Sequence, residues 1–193
     1  MAPRPAVFMD RDGTLTEEVG YVNHPSRLRI LPRSGAAVRR LNAAGIAVVV
    51  VTNQAGIARG YFSPEVLAAV NAALVSQLKD EGAHVDGLYV CPHHPTEGEP
   101  PYRMACDCRK PKPGLLLRAA SELGLDLERS ILVGDKGSDL VAARAVGARS
   151  VLVLTGYGLG EWEYRRSAMP VQPDFVADDL LGAADWVITE LRR

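Results

Sequence analysis

Short apolar runs alternate with stretches of helical periodicity along this chain. Ala6-Val7-Phe8-Met9 is uninterrupted and apolar, the pattern of a strand buried on both faces. Residues 34–44 read as a helix ended by Gly45. Residues 46–51 are β-branched and apolar throughout, as a central parallel strand requires. Ser63 at an N-cap, Pro64 in the first turn, and Leu67, Val70, Leu74 and Leu78 on one stripe predict a helix that Gly82 stops. Further along, residues 87–90, 131–133 and 150–154 read as strands, and residues 114–123 and 139–146 as helices closed by Gly124 and Gly147. Phe175-Val176 predicts a short edge strand, Asp178 the cap of a last helix running to Leu191, and residues 157–170 carry no clear period. Repeated β-α units imply an α/β fold, a Rossmann-like parallel sheet with helices on both faces. The expectation is one domain over residues 1–193, with its chemistry beyond the carboxyl ends of the strands.

Residues 91–113 break the alternation. They are polar, hold six prolines and have no period, so something must order them in a compact domain. All three cysteines of the chain fall here. An odd, tightly spaced set argues against a disulfide scaffold, and a Cys106–Cys108 bridge across one residue would be strained. Cys91-Pro92-His93 and Cys106-Asp107-Cys108, with residues 94–105 between them, offer three thiolates and an imidazole, the donor set of a closed structural Zn²⁺ site. Metal binding would supply the missing order.

The strand ends carry the other chemistry. Asp10 and Asp12 follow the first strand, two residues apart, so both carboxylates can face one site while Gly13 permits the turn away. Thr52-Asn53-Gln54 follows the second strand, Asp135-Lys136 and then Asp139 follow the strand at residues 131–133, and Lys110 precedes a helix. Close carboxylates suit Mg²⁺, and a lysine with hydroxyl and backbone donors suits phosphoryl oxygens; phosphoryl transfer is mostly positioning and charge neutralisation.

In order and placement these four segments resemble the four motifs of the haloacid-dehalogenase phosphatase superfamily, from about Val7 to Ala148. The resemblance implies that Asp10 is the nucleophile, Asp12 the general acid and base, and Thr52 and Lys110 the holders of the phosphoryl group. It implies Mg²⁺ held by Asp10, Asp135, the Asp12 carbonyl and the Lys136 backbone, with Asp139 ordering the site from behind. The cysteine loop narrows the likeness to the branch of heptose 1,7-bisphosphate and histidinol-phosphate phosphatases, whose pattern assigns His93 rather than His94 to zinc. The twelve-residue spacer at 94–105 is similar to that of the heptose enzymes. That branch implies removal of the 7-phosphate of a heptose 1,7-bisphosphate, on the way to nucleotide-activated heptose for the lipopolysaccharide core, with histidinol phosphate as the alternative substrate. It implies substrate contacts from Glu18, Val19, Gly20 and Tyr21, from Thr52, Asn53, Gln54 and Ala55 (where the pattern often has serine), and from Arg109 and Lys110. Arg109 could meet the second phosphate. A large cap domain is not expected, because the intervals where one would enter are short.

Composition sets the remaining expectations. The net charge is -1 and the arginines are scattered among carboxylates, which argues against a nucleic-acid partner. No run approaches a membrane span, and Met1 to Pro5 is too short and polar for a signal peptide before the first strand. The expected setting is cytoplasmic, as a monomer acting on a small sugar bisphosphate.

Overall fold

The computed structural model describes residues 3–192; Met1 and Ala2, part of the segment expected not to be a signal peptide, lie outside the described residues. Six parallel strands form one sheet: β1 (Ala6–Met9), β2 (Ala47–Asn53), β3 (Gly87–Cys91), β4 (Ile131–Gly134), β5 (Arg149–Val153) and β6 (Phe175–Ala177), in the order β3-β2-β1-β4-β5-β6. Parallel neighbours need crossover connections, and helices supply them: α1 (Ser34–Ala43), α2 (Pro64–Asp80), α3 (Gly114–Leu123), α4 (Gly137–Arg144), α5 (Gly158–Arg165) and α6 (Leu180–Leu191).

Strand alternation sorts the core into two layers. Val7, Met9, Val48 and Val50 pack with the apolar stripes of α1, α2 and α6. Ala6, Phe8, Ala47, Val49 and Val51 pack with Leu115, Leu116 and Ala119 of α3 and Ala142 and Ala143 of α4. Both faces of β1 and β2 are therefore dry, which is why their sequences are apolar without alternation. The order places β1 at the centre, with the chain running to one side through β2 and β3 and to the other through β4, β5 and β6. That reversal opens a crevice at the carboxyl end of β1.

The expected elements form, with shifted ends. β2 runs to Asn53, so Thr52 belongs to the strand rather than following it. The helix expected from Asp139 starts at Gly137, and Asp139 lies inside its first turn, accepting from Lys136 N at 3.2 Å. The last helix is capped by Asp179 and not by Asp178: Asp179 is extended and its side chain accepts from Gly182 N at 2.9 Å, the three-residue reach an N-cap needs. The segment without a period contains α5 and a 3₁₀ turn at Arg166–Ala168. Where a cap domain could enter, the chain forms α1 in one interval and α2, β3 and the cysteine loop in the other. No helix among the described residues is long and apolar enough to cross a membrane.

Phe8 is fully buried in the layer under α3 and α4. Phe8→Ala should cost about 3–5 kcal/mol of unfolding free energy in chemical denaturation, because a ring-sized cavity there cannot collapse. A loss under about 1 kcal/mol would contradict this packing.

Candidate active site

Four strand ends and one loop converge on the crevice. A cleft of about 520 Å³ is lined by Asp10 and Asp12 after β1, by Thr52, Asn53, Gln54 and Ala55 at the end of β2, by Glu18, Gly20 and Tyr21, by Arg109 and Lys110, and by Lys136 after β4. Val19, at 38% exposure, is the one expected substrate residue outside that lining. Ser138 and Tyr157 complete the wall. A second hollow of about 510 Å³ adjoins it, sharing Pro111, Lys136, Ser138 and Tyr157, and runs along α5.

Lys110 is the centre of charge at the floor. Its Nζ lies 3.0 Å from Asp10 Oδ1 and 2.7 Å from Asp139 Oδ1, and donates to Val51 O at 2.8 Å. All three ammonium hydrogens are thus used. Burial by itself would lower the Lys110 pKa, but Asp10 and Asp139 outweigh it and the pKa is raised, so the side chain stays charged. Asn53 holds Lys110 from the backbone side: its amide donates to Lys110 O at 3.0 Å and accepts from Lys110 N at 3.1 Å. The Asn53 side chain, expected at the substrate, is therefore committed to fixing the lysine.

Asp135 lies beneath the cleft with no exposure. Its Oδ2 accepts from Tyr157 N at 2.9 Å, and its Oδ1 is buried with no hydrogen-bond partner among the described residues. Gly13, at φ +86°, and Gly156 press against this carboxylate, and a Cβ on either would collide with Asp135 Oδ2. Burial pushes the Asp135 pKa up to about 7, opposed by Lys136 and aided by Asp10. Oxygens of Asp10, Asp135 and Asp139 lie within 4.8 Å of one another. Three buried carboxylates around one buried ammonium leave excess negative charge, and an orphaned carboxylate oxygen among them fits a hard divalent cation. Asp139 Oδ1 is the nearer counter-ion of Lys110, at 2.7 Å against 3.0 Å for Asp10 Oδ1.

Lys136 reaches back over the cleft. Nζ contacts Glu18 Oε2 at 3.2 Å and sits 4.4 Å from the Tyr157 ring centre. Burial lowers its pKa, but Asp135, Asp10 and Glu18 prevail and raise it. Asp12 is held differently from Asp10: Arg11 grips it with two guanidinium nitrogens, at 3.0 and 2.8 Å, and Gln54 Nε2 donates to it at 2.7 Å.

The cysteine loop forms the adjoining wall. Cys91, His93, Cys106 and Cys108 place their donor atoms within 4.8 Å of one another. Sγ–Sγ separations of 3.5 Å (Cys91–Cys106) and 3.3 Å (Cys106–Cys108), and 3.3 Å from His93 Nδ1 to Cys108 Sγ, are close to the edge of about 3.8 Å expected of a tetrahedron with 2.3 Å metal–sulfur bonds. All three thiols are unbridged. His94 lies apart from this group, with Nε2 3.2 Å from Arg59 Nη2. Burial, then Arg59 and Arg109, lower its pKa and keep it neutral. Arg109 directly follows Cys108 and donates to His93 O at 3.3 Å, so the loop that gathers the thiols also aims Arg109 into the cleft.

The sequence reasoning missed Tyr157, whose backbone N–H holds Asp135, and Thr155, whose hydroxyl donates to Gly13 O at 2.6 Å. Both lie just past β5, beyond a strand end like every other site segment, and that position was the available signal. It also passed over Arg11, which stands between two recognised aspartates.

A HAD-hydrolase-like family model matches residues 107–183. A relative from Thermosynechococcus vestitus named D-glycero-D-manno-heptose-1,7-bisphosphate 7-phosphatase is 42% identical over 195 residues, covering 98% of this chain and 98% of its own. One from Pasteurella multocida, named D-glycero-beta-D-manno-heptose-1,7-bisphosphate 7-phosphatase, is 45% identical over 157 residues, covering 81% of this chain and 85% of its own. The crystal structure of D,D-heptose 1,7-bisphosphate phosphatase from B. bronchiseptica, complexed with magnesium and phosphate, superposes with a TM-score of 0.84 at 33% identity, over 96% of this chain and 99% of that one.

The raised Asp135 pKa has a signed consequence for stability. The carboxyl is neutral in both folded and unfolded states at low pH, and its burial in ionised form costs stability as pH rises from about 4 through about 7. Metal-free protein should therefore melt at a falling temperature across that window. A hard divalent cation should restore stability at pH 8 far more than at pH 5. A cation-induced gain independent of pH would contradict the orphaned-carboxylate reading.

Proposed function

The chain belongs to the heptose 1,7-bisphosphate 7-phosphatase family of haloacid-dehalogenase-like hydrolases, and from that premise we propose that it hydrolyses the 7-phosphate of D-glycero-D-manno-heptose 1,7-bisphosphate. The observation that carries this reading is end-to-end likeness to a relative of that name, at 42% identity over 98% of both chains. The cleft supports it chemically. It is small, polar and lined by three cations, Lys110 at the floor, Lys136 after β4 and Arg109 at the wall, which suits a substrate with two phosphates.

In this reading Asp10 attacks the 7-phosphorus. The P–O bond to the sugar breaks, and the departing oxygen takes a proton from Asp12, leaving an acyl-phosphate on Asp10. A water then attacks phosphorus and gives its proton to Asp12, the P–O bond to Asp10 breaks, and the Asp10 carboxylate and inorganic phosphate are released. Oδ1 of Asp10 already accepts from Lys110 and from Arg11 N, at 3.0 and 2.8 Å, so Oδ2 is the oxygen left to attack. Lys110 and the Thr52 hydroxyl flank the phosphoryl group. Asp139 and Asn53 keep Lys110 charged and in place. Glu18, Gly20 and Tyr21 face the sugar, Ala55 contributes backbone, and Arg109 faces the 1-phosphate. Mg²⁺, when bound to Asp10, Asp135 and the backbone of Asp12 and Lys136, supplies neutralisation of the phosphoryl charge.

We read the thiolate site as zinc-binding and structural. Its four donors are all protein groups at tetrahedral spacing, and it fixes Arg109. We read the chain as one catalytic domain that works as a monomer; ligation by reduced thiols suits the cytoplasm.

Asp10→Asn should abolish turnover, by at least about a thousandfold, with an unchanged melting temperature, since an amide cannot form the acyl-phosphate. Substantial residual activity would remove Asp10 from the nucleophile role. Steady-state rates on both anomers of the bisphosphate, with histidinol phosphate alongside, should give the higher kcat/KM for the bisphosphate; the reverse order would overturn the substrate. Cys106→Ser should lose zinc by elemental analysis and lower the melting temperature, and a stable, active, zinc-free protein would refute the structural role.

A further inference from the structure

Among the described residues, Arg11 is the largest side chain with no exposure. A buried guanidinium is costly unless its hydrogen bonds and charge are met. Here Nε donates to Asp12 Oδ1 at 3.0 Å and Nη2 to Asp12 Oδ2 at 2.8 Å, a two-pronged pairing that fixes the carboxylate in plane as well as in place. Nη1 turns the other way and donates to Asn71 Oδ1 at 2.9 Å, on α2. Asp12 and Gln54 line the cleft, whereas Arg11 and Asn71 do not. The grip therefore comes from behind.

Gln54 Nε2 also donates to Asp12 Oδ2, at 2.7 Å, and the Thr16 hydroxyl lies 3.2 Å from both Asp12 Oδ1 and Arg11 O, with one hydrogen for the two. Of the carboxylate's about four acceptor positions, Arg11 and Gln54 fill three. Oδ2, where both of them donate, can carry a proton only if one of the two lets go. Arg11 is the worse candidate, because release would strand a buried cation. Gln54 is the better, because its amide is neutral and its release strands no charge.

We propose that Asn71 and Arg11 form a brace that positions Asp12 for its proton transfers, and that the Gln54 contact is the one exchanged at each transfer. Asn71 and Arg11 are positioning residues in this account, which rests on the acid–base role given to Asp12 above. The brace spans two layers of the molecule: the far end is set by α2, whose buried stripe of Leu67, Val70, Leu74 and Leu78 anchors it independently of the cleft.

The test separates leaving groups in the full-length enzyme. The heptose alkoxide needs a proton to depart, whereas p-nitrophenolate does not, and kcat/KM reports the step in which either leaves. Asn71→Leu removes the acceptor at similar size. It should lower kcat/KM on the heptose bisphosphate about tenfold, as expected for one lost hydrogen bond to a charged group, and change that on p-nitrophenyl phosphate by less than about twofold. Asn71→Asp keeps an acceptor oxygen and should restore the bisphosphate rate. Arg11→Lys, which keeps the charge but not the two-pronged geometry, should show the same bias and serves if Asn71→Leu does not fold. Equal losses on both substrates, or no loss on either, would overturn the brace. Asp12→Asn is the control: bias there without bias in the brace variants sinks the brace alone, and no bias there sinks the acid–base role with it.

Discussion

One buried ammonium organises this protein. Lys110 sits between Asp10 and Asp139, so each carboxylate is where it is because the lysine is, and the reverse. Losing the lysine would leave the buried carboxylates without their shared counter-ion. The chain secures the arrangement from three directions: β2 lends the Val51 carbonyl and the Asn53 amide, α4 presents Asp139 from its first turn, and β1 delivers Asp10. The parallel sheet matters here chiefly because it brings these three carboxyl ends side by side.

The same charge accounting explains the site's remaining oddities. Asp135 Oδ1 has no hydrogen-bond partner among the described residues and Lys136 Nζ comes only to 3.9 Å, so burial prevails and the pKa climbs, while two glycines crowd Oδ2 because nothing larger fits. Asp12 is in the opposite condition, held by Arg11 and Gln54 with the Thr16 hydroxyl nearby. Two aspartates separated by one arginine in sequence thus have different surroundings, one beside the lysine and one beside the arginine, which suits a nucleophile next to a proton carrier.

The cysteine loop stands in place of a cap. Folded back through His94 N to Tyr102 O and Met104 N to His94 O, both at 3.0 Å, it is tied to the turn after β2 by the Arg59–Glu97 ion pair at 2.8 Å. Its four soft donors face inward and its Arg109 faces the cleft.

Much of this was legible in the residues alone. Asp10, Thr52 and Asp135 were identifiable because polar residues that end apolar strands of a parallel sheet have one place to go, Lys110 because it precedes a helix next to the cysteine pair, and the thiolate set because soft donors at short spacing have few other uses. Apolar runs without alternation dictated the two-layered sheet, since both faces had to be covered. What the tertiary structure decided were partners distant in the chain. Arg11 reads as filler between two aspartates until α2 brings Asn71 to it, 60 positions away. Asn53 reads as a substrate contact until the loop brings it the Lys110 backbone, and Tyr157 has no role until the turn after β5 meets Asp135. Periodicity and motif spacing record what a residue does to its near neighbours, whereas the charge balance of a buried site is set by whichever elements packing brings together.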